Sequence, residues 1–490
     1  MELIDTITVH KKDEVYNLIE CEPGIAREIV DFFTFEVPGF RFMPAYRSRQ
    51  WDGKIRLFNQ YKGELYSGLL YHLQEFAKER GYYVSCDSRL KPLELDYNTT
   101  EKIIKNFEIP LDVRDYQIDA VKTALSNKGV ILLSPTASGK SLIIYCLLRT
   151  YQDMNNRQTL VVVPTTSLVE QMYKDFDDYA EGTDWYSEEN CHIIYAGKEK
   201  ETDKPVIIST WQSIYNLPKS FFQNIGMVIG DEAHNFKAKS LTSIMTKLVN
   251  CEYRIGTTGT LDGTKTHKLM LEGLFGPVYK VTTTRQLMDQ DYLADLVIHC
   301  VVLKHSEEAS KVVKQMDYQG EIDYLVRNTP RNNFIVQMAE ELRGNTLILY
   351  QLVEKHGEVL YEMLKENSKK DIRFIHGGIS TDQREAIRES VENSDSTVIV
   401  ASYGTYSTGI NIKNLHNVIF SSPSKSRIRN LQSIGRALRR TDDKTSAKLF
   451  DISDDLSIKN HQNYTLKHFI ERMGIYDSEG FEYDISKISL

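Results

Sequence analysis

Gly129-Val130-Ile131-Leu132-Leu133-Ser134-Pro135-Thr136-Ala137-Ser138-Gly139-Lys140-Ser141 is the stretch on which the reading of this chain turns. An apolar run of strand length enters a turn-forming octet that closes on Gly-Lys-Ser, and Ser141 to Tyr151 continues with helical patterning. A strand, a tight loop and a helix start, in that order, make a phosphate cradle. Backbone N–H groups of the loop and the helix N-terminus point at phosphate oxygens. On this reading Thr136, Ala137, Ser138, Gly139, Lys140 and Ser141 hold ATP. Lys140 reaches the β- and γ-phosphates and Ser141 holds Mg²⁺ through its hydroxyl. The first glycine of the usual G-x-x-x-x-G-K-[ST] pattern is Ser134 here. By itself the octet is weak evidence, because roughly one chain in four of this length carries a Gly-Lys-Ser/Thr by chance.

Two later strings change the weight. Asp231-Glu232-Ala233-His234 follows the apolar run Met227-Val228-Ile229-Gly230. A carboxylate at the C-terminal end of a parallel strand stands where open α/β sheets bind ligands. There Asp231 organises Mg²⁺, and Glu232 orients and deprotonates the attacking water. His234 links the nucleotide site to nucleic-acid contacts or is a structural histidine. Gln432-Ser433-Ile434-Gly435-Arg436-Ala437-Leu438-Arg439 places two arginines three apart, hence on one side of a helix. A guanidinium on the γ-phosphate is worth about 10³–10⁵ in rate in phosphoryl transfer. Arg436 and Arg439 are the candidates, with Gln432 as a coupling residue. Each of these strings arises by chance in roughly a few chains per thousand. The ordered set points to a motor that couples ATP hydrolysis to movement on nucleic acid.

Outward from the octet, short apolar runs alternate with helical patterns: Gly129 to Leu133, Leu160 to Val163, Val206 to Ser209, Val228 to Ile229 and Arg254 to Gly256. The rhythm resumes at Leu347 to Tyr350, Ile372 to Ile375, Val398 to Ala401, Val418 to Phe420 and Leu449 to Asp451. This predicts an α/β chain with two parallel-sheet motor domains in tandem, preceded by a small α+β domain. The expected boundaries are 1–97 for the N-terminal nucleic-acid-binding domain, 98–284 for motor domain 1, 285–455 for motor domain 2 and 456–490 for a C-terminal helix and tail. Polar residues Asn98 to Glu101 suggest a linker, and Arg285 to Asp295 a crossing between domains.

The chain has 490 residues, 41% hydrophobic, and a formal net charge of -8, so any phosphate track must be local. One stretch answers that need. Arg41, Arg47, Arg49, Lys54, Arg56 and Lys62 stand against a single acid, Asp52, between positions 41 and 62. Trp51 in the same stretch is expected to anchor the turn. The six cysteines are dispersed without Cys-x-x-Cys spacing, which argues for buried free thiols rather than a zinc site or disulfides. No signal peptide and no apolar run of membrane-spanning length is found, so a cytoplasmic protein is expected.

These residues resemble helicase superfamily two, which implies that the two parallel-sheet motor domains are RecA-like. Leu111-Asp112-Val113-Arg114-Asp115-Tyr116-Gln117 is similar to its adenine-reading motif, which implies that Gln117 bonds the adenine edge with support from Arg114. Val163-Pro164-Thr165-Thr166-Ser167-Leu168 and Ser209-Thr210-Trp211-Gln212 resemble motifs that track nucleic-acid phosphates. Thr258-Gly259-Thr260 resembles the coupling motif, with glycine where alanine is common. Ile375-His376-Gly377-Gly378 and Ala401 to Asn411 are similar to two motifs of the second motor domain. The resemblance implies backbone contacts from Pro164, Thr165, Thr210, Gly378 and Thr405, and nucleotide contacts from Gly409 and Asn411.

A narrower resemblance runs nearly the whole chain. Phe42 to Phe58, Leu274-Phe275-Gly276-Pro277-Val278-Tyr279 and the Asp-Glu-Ala-His string are similar to the phage UvsW-like recombination and branch-migration DNA helicases. That family implies an ATP- and Mg²⁺-dependent DNA helicase, acting as a monomer on forks, four-way junctions, D-loops or single strands, alongside recombination or replication proteins in a host cytoplasm. Arg41, Arg47, Arg49, Lys54 and Arg56 then become a wedge or clamp on branched DNA. The rivals are an ATP-dependent RNA helicase, the motor of a restriction enzyme, and a nucleotide-regulated clamp that separates no strands.

Overall fold

The computed structural model describes residues 5–235, 238–261, 265–409, 412–422, 426, 430–431, 433–435, 438 and 446–490. The chain divides into two compact units, one running to Val281 and one from Thr282 to Leu490 that also takes in Pro135–Ser138.

The first unit opens on a five-stranded sheet, ordered Phe58–Asn59, Glu64–Tyr66, Tyr16–Glu20, Thr6–Lys11, Tyr83–Cys86. Its pairs are antiparallel except the last, which is parallel. Period-2 alternation puts Ile7 and Val9 inward at 0% exposure. Helices Pro23–Phe32 and Leu70–Arg80 close the core with Ile25, Ile29, Leu73 and Phe76. A separate hairpin, Thr34–Glu36 against Lys54–Arg56, carries the excursion between them.

The same unit holds a seven-stranded sheet in the order Cys191–Ile194, Val206–Thr210, Gln158–Val163, Ile225–Asp231, Tyr253–Thr258, Gly129–Leu133, Val278–Lys280. Every pairing is parallel. Its strands are apolar on both sides because helices cover both faces. Asp115–Asn127, Lys140–Met154 and Thr166–Ala180 pack one face around Leu132, Val161 and Ile229. Ala238–Met245 and Lys265–Phe275 pack the other around Ile131, Leu160 and Val228. The linker expected at Asn98 to Glu101 is instead helix Tyr97–Lys105, N-capped by the Asp96 carboxylate, which accepts the Thr99 N–H at 2.9 Å. Asn98 and Thr99 face outward, while Thr100 and Ile104 are buried, Ile104 against the motor core.

The second unit is another all-parallel sheet, ordered Asp371–Ile375, Thr397–Ser402, Thr346–Tyr350, Asn417–Phe420, Ser446–Asp455, Asp295–Lys304, Tyr483–Ser489. The expected C-terminal tail is therefore partly strand: Tyr483–Ser489 pairs with Asp295–Lys304 at the sheet edge. Helix Tyr464–Glu479, which leads to it, is pinned by buried Arg472. Arg472 donates two 2.8 Å hydrogen bonds to Asp451, and Tyr476 donates a third at 2.9 Å. The region expected to cross between domains contains helix Thr284–Asp289, closed by a Thr283/Gln286 capping box. Cys146, Cys191, Cys251 and Cys300 are buried free thiols, Cys21 is half-buried and Cys86 exposed.

Candidate active site

Parallel strands deliver all their C-terminal ends to one edge of a sheet. On the first motor sheet the residues at or just beyond that edge, in spatial order, are Thr210, Pro164 and Thr165, Asp231, Thr258, and the octet after Leu133. The suspected phosphate-tracking residues thus occupy one end of the edge and the suspected nucleotide residues the other.

The octet is shaped by two left-handed residues, Ala137 at φ +66° and Gly139 at φ +78°, and Ser134 is not among them. The missing first glycine is thereby explained: Ser134 continues the strand, its N–H donating to the Thr258 carbonyl at 2.9 Å. Ser138 Oγ donates to the Pro135 carbonyl at 2.6 Å. Gly139 is left-handed, and a Cβ there would lie 2.3 Å from Gln117 Nε2 and push that amide aside. Gln117 is buried, and its Oε1 accepts the Arg114 N–H at 2.9 Å. The adenine-reading candidates and the octet are therefore one assembly.

Helix Lys140–Met154 begins at the octet's end, and Lys140 Nζ stands 3.8 Å from Glu232 and 3.4 Å from the Ser134 carbonyl. Asp231 is the last residue of its strand and is buried. It accepts a 2.7 Å hydrogen bond from Thr257 Oγ1 on the neighbouring strand. Burial and the adjacent Glu232 charge push the Asp231 carboxyl up to about 6, against the pull of Lys140. Glu232 adopts φ +49°, a strained conformation for a side-chain-bearing residue. Its Oε2 lies 3.4 Å from His234 Nδ1. A buried carboxyl held above its ordinary range, beside a second carboxylate, suits a hard divalent cation with oxygen ligands. Ser141 Oγ shares a 2.8 Å hydrogen bond with Tyr179 OH.

His234 is buried and its Nδ1 lies 2.6 Å from Thr258 Oγ1, which in turn donates to the Thr260 carbonyl at 2.8 Å. The three coupling candidates of this unit thus form one continuous chain. Further along the edge, Thr165 caps helix Thr166–Ala180, and the Pro164 carbonyl accepts Gln212 Nε2 at 3.1 Å. Thr210 is buried with its hydroxyl 2.9 Å from Ser213 Oγ. In the second unit Gly378 follows strand Asp371–Ile375, and Thr405 follows the neighbouring strand Thr397–Ser402, 2.8 Å from Ser402 Oγ. Gly409 ends helix Tyr403–Gly409. Asn411, Gln432, Arg436 and Arg439 lie outside the described residues.

Arg41, Arg47, Arg49, Lys54 and Arg56 are all exposed on the hairpin excursion. Arg41, Arg47 and Arg49 line a hollow of about 570 Å³ with Tyr46, Gln50, Trp51 and Asp52. Arg56 is ion-paired to Asp52, while the other four form no ion pair among the described residues. Trp51 anchors the turn as expected, its Nε1 donating to the Lys54 carbonyl at 2.9 Å. Thr257 and Tyr179 were not singled out from sequence. Thr257 had a signal, a polar residue inside an apolar parallel strand; Tyr179 had none.

The chain matches family models along its length. The N-terminal model of the DNA helicase UvsW covers residues 6–87, the Type III restriction enzyme res subunit 110–263, and the helicase conserved C-terminal domain 331–441. It is 34% identical to the ATP-dependent DNA helicase uvsW of Enterobacteria phage T4 over 99% of this chain and 100% of that one. The chain belongs to the UvsW helicase family. The crystal structure of T4 UvsW matches it with a TM-score of 0.53 at 33% identity, covering 99% of both chains. More distantly, the DNA 3'-5' translocase XPB2 of Sulfurisphaera tokodaii is 24% identical over 73% of this chain and 86% of that one. The DNA-bound restriction-modification enzyme LlaBIII shares the fold, at 16% identity and a TM-score of 0.58 over 86% of this chain and 36% of its own. The two-motor architecture with an N-terminal α+β module is therefore that of the UvsW family. No described helix is long and apolar enough to cross a membrane.

Proposed function

We propose that this chain is an ATP-dependent DNA helicase that remodels branched DNA by branch migration, fork regression, unwinding or annealing in recombination, replication and repair. The observation that carries the reading is the joining of Lys140, Glu232, His234 and Thr258 on a sheet edge that continues to Thr165 and Thr210, in a chain aligned end to end with a DNA helicase.

In this mechanism Gln117 and Arg114 select adenine and the octet wraps the phosphates. Ser141 and Asp231 would hold Mg²⁺, which would supply neutralisation of the phosphate charge. In that role the Ser141 hydroxyl would give up its Tyr179 partner. Glu232 takes the proton of the attacking water. Arg436 and Arg439 meet the γ-phosphate from the second motor domain, which also supplies Gly409 and Asn411 to the nucleotide, so hydrolysis requires closure of the two motors. His234, Thr258, Thr260 and Gln432 relay the nucleotide state to Pro164, Thr165, Thr210, Gly378 and Thr405 on the DNA backbone. The domains read as 1–97, 98–284, 285–455 and 456–490, and the protein acts as a cytoplasmic monomer.

The deciding experiment is phosphate release measured with single-stranded, duplex, fork and four-way-junction DNA beside matched RNA. Fork or junction DNA stimulates most on this reading. Stimulation by RNA alone makes it an RNA helicase, and no stimulation by any nucleic acid leaves only a clamp. The basic excursion is tested by salt. Removing Arg41, Arg47, Arg49 and Lys54 together lowers the log–log salt slope of fork binding by roughly 3–4. Arg56→Ala changes it by less, because Arg56 is already paired to Asp52.

A further inference from the structure

Helix Lys265–Phe275 follows Thr258-Gly259-Thr260 in the chain and is shared by two cores. Its inner side is seated on the motor sheet. Gly256 leaves room for the Phe275 ring, since a Cβ there would lie 3.3 Å from it. Buried Arg254 donates to the Leu274 carbonyl at 2.9 Å, and to those of Met245 and Leu248 at 3.0 and 3.2 Å. At the helix end Gly276, at φ +123°, lies against the Gly129 backbone so closely that a Cβ would come within 2.2 Å of its carbonyl. The helix is thus fastened to the two strands that end at the coupling threonines and at the nucleotide octet.

Its outer side belongs to the N-terminal module. Leu269 is part of that module's core with Leu69, Leu73 and Phe76. The turn Ser67–Leu69 approaches backbone to backbone: a Cβ on Gly68 would lie 1.9 Å from the Glu272 carbonyl. Beside that contact His72 Nε2 donates to the Glu272 carboxylate at 2.9 Å, with the Glu272 side chain 4% and that of His72 23% exposed. Lys268 adds a longer contact to the same carboxylate at 3.8 Å. An apolar contact would hold two cores together equally well. An oriented, nearly buried charge-assisted hydrogen bond does so in one register only.

We infer that His72 and Glu272 are positioning residues that key the N-terminal module to the helix after the coupling motif, so that the module's engagement with branched DNA and the state of Thr258–Thr260 are transmitted to each other as one rigid body. The inference rests on the reading of the basic excursion as the branched-DNA contact. It makes the excursion a fixed part of the first motor, with its orientation to Lys140 and Glu232 set by this helix.

The test is steady-state ATP hydrolysis by the full chain, without DNA, with single-stranded DNA and with fork DNA, for His72→Ala, His72→Gln and an Arg47→Ala/Arg49→Ala control. His72→Ala lowers kcat at saturating fork DNA about tenfold, the scale of one lost charge-assisted hydrogen bond. It leaves KM for ATP, the DNA-free rate and the single-strand-stimulated rate unchanged, and His72→Gln, which keeps a donor, restores fork stimulation. If the arginine control loses fork stimulation while His72→Ala keeps it, the keying is wrong and the DNA reading stands. If wild-type protein shows no fork preference, or the arginine control retains it, the reading of the excursion fails and the inference with it. Should His72→Ala melt early, Glu272→Met, which keeps a side chain of similar length and removes the acceptor, replaces it under the same criteria.

Discussion

The amide of Gln117 stands over Gly139 so closely that a Cβ at position 139 would meet it at 2.3 Å. Twenty-two positions apart in the chain, the two residues make a single wall, and the left-handed φ of +78° at Gly139 is the conformation that brings them together. Gly139→Ala is expected to cost about 1–2 kcal/mol in backbone strain. It also displaces Gln117, so ATP affinity should fall at least tenfold by equilibrium titration. Gln117→Ala should keep the fold and lose preference for ATP over GTP, by roughly tenfold or more for one lost amide hydrogen bond.

The raised carboxyl of Asp231 has a consequence for stability. A carboxyl whose folded-state value is about 6 keeps its proton longer in the folded than in the unfolded chain. Stability therefore falls as pH rises from about 4 to 6 and the penalty is constant above that. Asp231→Asn removes the penalty. Without nucleotide, the variant should be more stable than wild type at pH 8, by on the order of 2–3 kcal/mol, and equal to it near pH 4. Urea unfolding at the two pH values checks this, and an advantage confined to acid pH would contradict it.

Lys140 and Glu232 face each other at 3.8 Å but serve different steps. Lys140→Ala should abolish hydrolysis and unwinding and spare fork binding. Glu232→Gln should bind ATP normally and lower kcat by about 10²–10⁴, the contribution of a general base, stalling with the motors closed. Hydrolysis by Glu232→Gln at the wild-type rate would remove Glu232 from that role. Glu232→Gly should be inactive without loss of melting temperature, because glycine accepts the φ of +49° at no steric cost.

The 2.6 Å contact between His234 and Thr258 predicts uncoupling rather than inactivation. His234→Ala should retain DNA-free ATP hydrolysis within about twofold and lose most DNA stimulation, and Thr258→Ala should match it. The double variant should be no worse than either single one, the non-additivity expected of residues that act through one contact. Additive losses would mean that the two residues work separately.

Much of this fold was legible because it is written in contiguous residues. The octet, the Asp-Glu-Ala-His string and the buried strands each depend on neighbours in the chain: turn chemistry, a carboxylate at a strand end, apolar runs covered on both faces. Misreadings fell where a local pattern is ambiguous. Asn98 to Glu101 is polar although it forms the start of a capped helix: Asn98 and Thr99 face solvent and the buried Thr100 hydroxyl donates to the Asp96 carbonyl, and polarity alone does not separate that from a linker. Tyr483–Ser489 is mostly exposed along its length, so its composition resembles a tail until its partner strand is known.

By itself the sequence determined that the chain has two parallel-sheet motors and which residues are the candidates for its reactive groups, because such groups sit at the ends of strands and in the turns that follow them. The tertiary structure alone decided what those groups touch. It placed Gln117 on Gly139, Thr257 on Asp231, Tyr179 on Ser141, and His72 on Glu272 two hundred positions away. Such contacts follow from strand order and helix packing, in which residues distant along the chain meet through shape. A local pattern sets what a residue can do, and the packing of the whole sheet sets which partner it does it with.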